Sequence, residues 1–428
     1  MKILVLSNLY PPDVVGGYEL GCRQAVDWLL DRGHDVRVVT STPRTPIPIR
    51  PEPHVLRRFA LDDVWYNASR ERSNPAVNRV WEVDGLWFSS HNVHTLIQQV
   101  EEFRPDVAYP WMLLGVGGLG LMGALQYLGI PWVWHLMDRV PSMLCSSNWR
   151  VIPGMVRAYN RLLSGRYLAC SRGLVERIER DGFELGDDVE LIPNWVEGDR
   201  PRTRTTFYRP GSGPLRAISA GRITRDKGVD LLIEAVRLLR DRGVGPDAFR
   251  LDLYGPVFDR ELPELAHRHG LADLVTFHGA IPQHELTRRF AESDLMVFPT
   301  EAREPFGFAP IEAAAQGCVP MISRICGVGE WLVDGVHCLK SARDAASFAA
   351  GIAGILAGEV DLAPIGRRAQ AVVRRDFHRD ALLPRVERSL KRAARAPRVA
   401  AGSAADAYRM AILAQRLGHA IVQEPFAA

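Results

Sequence analysis

The feature that most constrains the fold is an alternation of short apolar strands with helical patterns, and it runs through the chain twice. In the first half Ile3–Leu6, Asp35–Thr40, Asp106–Tyr109, Trp132–His135, Arg166–Ala169 and Val189–Ile192 read as strands, and Leu20–Leu30 reads as a helix ended by Arg32-Gly33. Runs such as Val36-Arg37-Val38-Val39 fit strands covered by helices on both faces. The rhythm breaks over 197–214, a stretch rich in Pro, Gly, Arg and Thr, and then restarts. Arg216–Ala220, Arg250–Tyr254, Val275–Phe277, Leu295–Phe298 and Val319–Ile322 are its strands, and Val229–Arg240 is its first helix. This predicts an α/β chain of two Rossmann-like, doubly wound parallel-sheet domains, 1–196 and 215–376, joined by the linker 197–214. Residues 377–428 are expected to form C-terminal helices that pack back on the first domain. Two such domains in series imply a cleft that both face, with ligands at the carboxyl ends of the strands.

Composition narrows the partners. A formal net charge of +3 over 428 residues gives no argument for nucleic acid. Six scattered cysteines without a C-x-x-C pair suggest core thiols in a reducing compartment, not zinc or redox chemistry. Met1–Leu6 reads as a first strand and not as an export signal, so the expected location is cytoplasmic. Val107–Met137 holds no Asp, Glu, Lys or Arg, but two prolines and six glycines break it into strand, glycine loop, short helix and strand. Leu382–Arg398 is basic, which is either a solvated helix face or a patch for anionic lipid or a phosphate-bearing acceptor. The second alternative would place the protein peripherally at the inner face of a membrane.

Four segments could carry chemistry. The strand Leu295–Phe298 leads into Glu301-Ala302-Arg303-Glu304-Pro305-Phe306-Gly307-Phe308-Ala309-Pro310-Ile311-Glu312. Gly307 permits a tight turn, and Pro310 suits the first turn of a helix whose free N–H groups would favour a diphosphate. Glu304 and Glu312 flank that loop, although Glu312 could simply sit well in a first helical turn. Gly221-Arg222-Ile223-Thr224-Arg225-Asp226-Lys227-Gly228 follows the first strand of the second domain. There Arg222 can grip phosphate oxygens as a fork and Lys227 as a point charge, or both can be solvated. The spacing is not that of a P-loop. Gly16-Gly17-Tyr18-Glu19 follows the first strand of the chain and lets backbone approach a ligand. His135 ends a strand, where it is either a catalyst or a satisfied core residue, with Asp138 three residues on.

Together, Gly16-Gly17-x-Glu19, Gly221-Arg222-x4-Lys227-Gly228 and Glu304-x7-Glu312-x4-Gly317 resemble the large retaining glycosyltransferase family 4, of the GT-B fold. Asn194 resembles that family's interdomain segment, and the resemblance runs from Met1 to about Arg392. It implies a nucleotide diphosphate sugar as donor, bound mainly to the second domain. Arg222 and Lys227 match the family's diphosphate-binding pair, and Glu312 matches the carboxylate on the ribose hydroxyls. Glu304 matches the acid near the transferred sugar, and the backbone at Phe306, Gly307 and Phe308 matches the loop that holds sugar hydroxyls. Gly17 would approach the donor phosphate or the acceptor, and His135 resembles the histidine that contacts the donor sugar. Many relatives have the acid directly after that histidine, whereas Leu136-Met137 intervene here.

The resemblance also implies retention of anomeric configuration. Arg222, Lys227 and a helix N-terminus would stabilise charge on the departing diphosphate, and Glu304 the oxocarbenium character of the sugar. No two aspartates are separated by one residue, so no cofactor and no metal are expected. The acceptor, whether a small molecule, a glycan or a lipid-linked sugar, would meet loops around Arg44–Asn78 and Leu113–Gly123. A nucleotide-sugar epimerase, a phosphorylase and a non-catalytic two-lobed sugar-binding protein are the competing readings.

Overall fold

The computed structural model describes residues 1–42, 50–62, 82–147, 150–151, 153–196, 203–300 and 304–423. It divides into two units, Met1–Ile192 with Leu383–Ala428, and Pro193–Leu382.

In the first unit β1 (Lys2–Leu6), β2 (Asp35–Ser41), β3 (Val55–Phe59) and β4 (Val107–Pro110) form a parallel sheet ordered β3-β2-β1-β4. β5 (Val133–Leu136), β8 (Arg166–Ala169) and β9 (Val189–Leu191) form a second parallel sheet, and a parallel bridge between Ala108 and Trp132 joins the two edges. A short antiparallel pair, β6 (Ser146–Ser147) and β7 (Arg150–Val151), lies apart. The helices are α1 (Gly17–Asp31), α2 (Ser90–Phe103), α3 (Gly118–Tyr127), α4 (Val140–Leu144), α5 (Pro153–Leu162) and α6 (Arg172–Arg180). Buried Asn8, just past β1, stitches three strand ends together. Its Nδ2 donates to the Leu114 carbonyl (2.8 Å), and its own carbonyl accepts from Ser41 N and Oγ. The loops that could hold ligand therefore leave from a fixed edge.

The second unit repeats the plan. Its strands are β10 (Leu215–Ala220), β11 (Phe249–Tyr254), β12 (Val275–Gly279), β13 (Leu295–Phe298), β14 (Val319–Ser323) and β15 (Leu339–Ser341). They are parallel throughout and ordered β12-β11-β10-β13-β14-β15. The order reverses between β10 and β13, and that reversal opens a crevice at their carboxyl ends. Its helices are α7 (Val229–Asp241), α8 (Glu261–Arg268), α9 (Gln283–Glu292), α10 (Phe308–Ala315), α11 (Ala345–Leu356) and α12 (Leu362–Asp376). The core joins Leu232, Val236 and Leu239 of α7, Phe348 and Ile352 of α11, and buried strand residues such as Leu251, Leu253 and Val297.

Helix α13 (Arg379–Ala394) carries the chain back to the first unit, with Pro384 in its interior, and α14 (Ala404–Gln423) follows. Leu383, Val386 and Leu390 are buried. Glu387 pairs with His34 (2.8 Å) and Lys391 (2.6 Å), and Arg385 pairs with Glu190. Gln415 and His419 of α14 both bond Asp84. Much of the charge in the basic stretch 382–398 is thus engaged inside the unit, with Arg398 against Asp106 as well. Among the described residues no helix is long and apolar enough to cross a membrane. Val107–Met137 is strand, glycine loop, helix and strand, as its prolines and glycines predict.

Candidate active site

The crevice between β10 and β13 gathers most of the singled-out residues. After β10 the chain turns at Gly221, whose N–H bonds the Tyr254 carbonyl, and reaches α7 at Gly228. Arg222 is exposed and lies 3.5 Å from Asp226, so its guanidinium is tethered only loosely. Lys227, on the same loop, points across the sheet and forms an ion pair with Glu304 beyond β13. An ammonium has three donors, so Lys227 can hold Glu304 and still offer N–H groups to a phosphate. Thr300 Oγ1 also reaches Glu304.

The loop that carries Glu304 ends at Gly307, the N-cap of α10, with φ of 95°, a conformation that L side chains rarely adopt. The helix starts at Phe308, so Pro310 falls in its first turn, as the sequence suggested. Its first N–H groups face the same carboxyl edge, where their partial positive charge favours an anion. The loop is buttressed from behind by 326–328. Phe306 O accepts from Val328 N (2.8 Å) and from the Cys326 thiol (3.0 Å), and Glu304 O accepts from Gly327 N. A Cβ on Gly327 would fall 1.8 Å from the Pro305 carbonyl oxygen, so only glycine fits. Residues 301–303 lie outside the described residues.

Glu312 sits in α10, half-buried. Gln283, at the start of α9, donates to its Oε1 (3.1 Å). Burial raises the Glu312 carboxyl above its ordinary value, and the Gln283 bond partly offsets the rise. Neither Gln283 nor the 326–328 buttress stood out in the sequence. The glycine pair Gly327 and Gly329 was the only trace of the buttress.

The other singled-out residues belong to the first unit. Glu19 Oε2 accepts from Gly16 N (2.9 Å) and Val15 N (3.2 Å), which fixes the turn before α1. A Cβ on Gly16 would meet nothing within 4 Å, so open space lies beside that backbone. Tyr18, overlooked in the sequence, links this turn to the loop after β5. Its oxygen accepts from Met137 N (2.6 Å) and Asp138 N (2.8 Å). His135 is completely buried, stacked on Trp111 (4.2 Å, 15°) and bonded through Nδ1 to the Tyr109 hydroxyl (2.7 Å). Burial lowers its pKa to about 3. An imidazole held neutral in this way is suited to hydrogen bonding and packing, and poorly suited to carrying a proton at physiological pH. Most of the expected acceptor loop 44–78 lies outside the described residues, whereas 113–123 forms the glycine turn and α3.

Two parallel α/β units with this strand order define the GT-B class. Residues 15–200 match the family described as Glycosyltransferase Family 4, and residues 208–372 match the one described as Glycosyl transferases group 1. The chain belongs to these glycosyltransferases. It is 27% identical to a glycogen synthase of Mycobacterium tuberculosis over 394 residues, 88% of this chain and 90% of that protein. It is 26% identical to a D-inositol 3-phosphate glycosyltransferase of Pseudarthrobacter chlorophenolicus over 354 residues, 75% of this chain and 79% of that protein. Among solved structures, HepE of Anabaena in complex with UDP is similar in fold, with a TM-score of 0.66 and 19% identity over 92% of this chain and all of that one.

Proposed function

We propose that the protein transfers a sugar from a nucleotide diphosphate sugar to an acceptor hydroxyl, with retention of configuration and without a metal ion. The observation that carries this reading is the convergence at one strand-order reversal of Arg222, Lys227, the α10 N-terminus and two glutamates. The diphosphate lies against the cations and the helix N-terminus, where the charge that grows as the bond to the sugar breaks is stabilised. Glu312 holds the ribose hydroxyls. Glu304, anchored by Lys227, faces the sugar and stabilises its oxocarbenium character, while the acceptor attacks from the face the diphosphate leaves. The backbone at Phe306, Gly307 and Phe308 orients the sugar hydroxyls. Gly16 and Gly17 offer bare backbone to a ligand in the first unit, and His135 contributes as a neutral group. The names of the relatives and the UDP bound to HepE support a nucleotide-linked donor.

The test is release of nucleoside diphosphate from a panel of nucleotide sugars, with and without acceptors, in excess EDTA. Arg222→Ala and Lys227→Ala each remove a charge-assisted contact of about 1.5–3 kcal/mol, so kcat/KM should fall tenfold or more. Parent rates in both folded variants would place the site elsewhere. Complete loss in EDTA, restored by magnesium or manganese, would overturn the metal-free mechanism. NMR of the product's anomeric proton decides retention.

A further inference from the structure

The second unit holds a large cavity at the opposite edge of its sheet. It has a volume of about 940 Å3 and lies between the 203–214 segment, the amino ends of β10 and β13, and the start of α12. β10 separates it from the Gly221 turn, roughly 20 Å at about 3.3 Å per residue. The wall made by 203–209 is firmly built. Arg204 is paired with Asp294 (2.7 Å) and donates to the carbonyls of Thr206 and Ser293, and its backbone N–H bonds Gln370. Phe207 packs directly on Gly366 and lies between the guanidinium groups of Arg204 (5.4 Å) and Arg367 (5.7 Å).

The charges in this cavity do not cancel. Its two carboxylates are already engaged, Asp294 by Arg204 and the Arg216 N–H, Glu292 by Arg289 (3.0 Å). Three further arginines line it, Arg209, Arg216 and Arg367, and among the described residues none of their guanidinium groups has a carboxylate partner. Three planar forks around one cavity match the oxygens of a phosphate group better than any neutral ligand.

We propose that this cavity binds a small phosphate-bearing molecule, at a site separate from the crevice that carries the transfer reaction. Pro214 and Ala363 also line the cavity and give apolar surface on which an organic part of such a ligand can rest.

The probes are inorganic phosphate and pyrophosphate, titrated calorimetrically at constant ionic strength into three forms of the full chain: parent, Arg222→Ala/Lys227→Ala, and Arg209→Ala/Arg367→Ala. Both arginines of the last variant are exposed, and its folding is checked by retained affinity for a nucleoside diphosphate. The expected result is saturable pyrophosphate binding that survives in Arg222→Ala/Lys227→Ala. It should weaken tenfold or more in Arg209→Ala/Arg367→Ala, the scale set by lost charge-assisted contacts. Binding that vanishes with Arg222 and Lys227 and is indifferent to Arg209 and Arg367 overturns the proposal. Absence of saturable binding of either anion in the parent overturns it equally.

Discussion

Glu304 and Glu312 share a loop–helix unit but meet different chemistry. Glu304 is tied to Lys227, and in the proposed reaction it faces the sugar, where positive charge develops only in the transition state. Glu312 is tied to Gln283, and the ribose contacts proposed for it would exist in ground and transition states alike. Glu304→Gln should therefore cut kcat about tenfold or more with little change in inhibition by free nucleoside diphosphate, and Glu312→Gln should do the reverse. Equal loss of diphosphate affinity in both variants would contradict the division. His135 makes a pH prediction. An unfolded imidazole titrates near 6.5, whereas this one stays neutral down to about 3. Between those values the unfolded chain binds the extra proton, so stability is fully present above 6.5 and is lost as pH falls toward 3. The slope from this residue is about 1.4 kcal/mol per pH unit. His135→Gln should flatten the acid side of a Tm-against-pH curve recorded by circular dichroism. An unchanged acid slope would mean that the imidazole takes up its proton in the fold.

Among the elements, the short 326–328 segment holds the loop that carries Glu304 and Gly307 in place through hydrogen bonds to the Glu304 and Phe306 carbonyls. Gly327→Ala would push a methyl into the Pro305 carbonyl and displace the loop that carries Glu304 and Gly307. A tenfold or greater fall in kcat/KM is expected while the fold and the α10–α9 contact survive, since a misplacement of about 1 Å can cost that much or more. Full activity in Gly327→Ala would show that the loop tolerates the shift. This buttress also marks where sequence reasoning ends. The strand Leu295–Phe298 was legible to the residue, because a parallel strand buried on both faces is one unbroken apolar run. Val55–Phe59 was missed because Arg57 and Arg58 interrupt it on a partly exposed edge, and Leu339–Ser341 because it is too short to show a period. That Arg222, Lys227, Glu304 and Glu312 belong together was suggested by type and spacing, and the structure gathers them at one crevice. Tyr18 and Gln283 were not legible, because each acts by a hydrogen bond to a residue far away in sequence, Tyr18 to the 137–138 loop and Gln283 to Glu312.

At the scale of the molecule, the chain crosses from the first unit to the second at Pro193 and returns at Leu383. The return runs within a single helix, α13. Its later turns supply Val386 and Leu390 to the first unit's core, Glu387 to His34, and Ser389 to Glu190 beside Arg166. The stability of the amino-terminal unit therefore depends on residues almost two hundred positions after it ends. Leu390→Ala, which removes a fully buried side chain, should cost about 2–5 kcal/mol. That loss should fall on the first unit, because Leu390 belongs to it. Hydrogen exchange read by mass spectrometry tests this directly. Peptides covering β8 and β9 should lose protection, while those covering β10 and β13 keep theirs, and nucleoside diphosphate affinity should be unchanged within twofold. If protection falls instead in β10 and β13, the last helices serve the second unit, and the division of the chain at Leu382 does not describe how it unfolds.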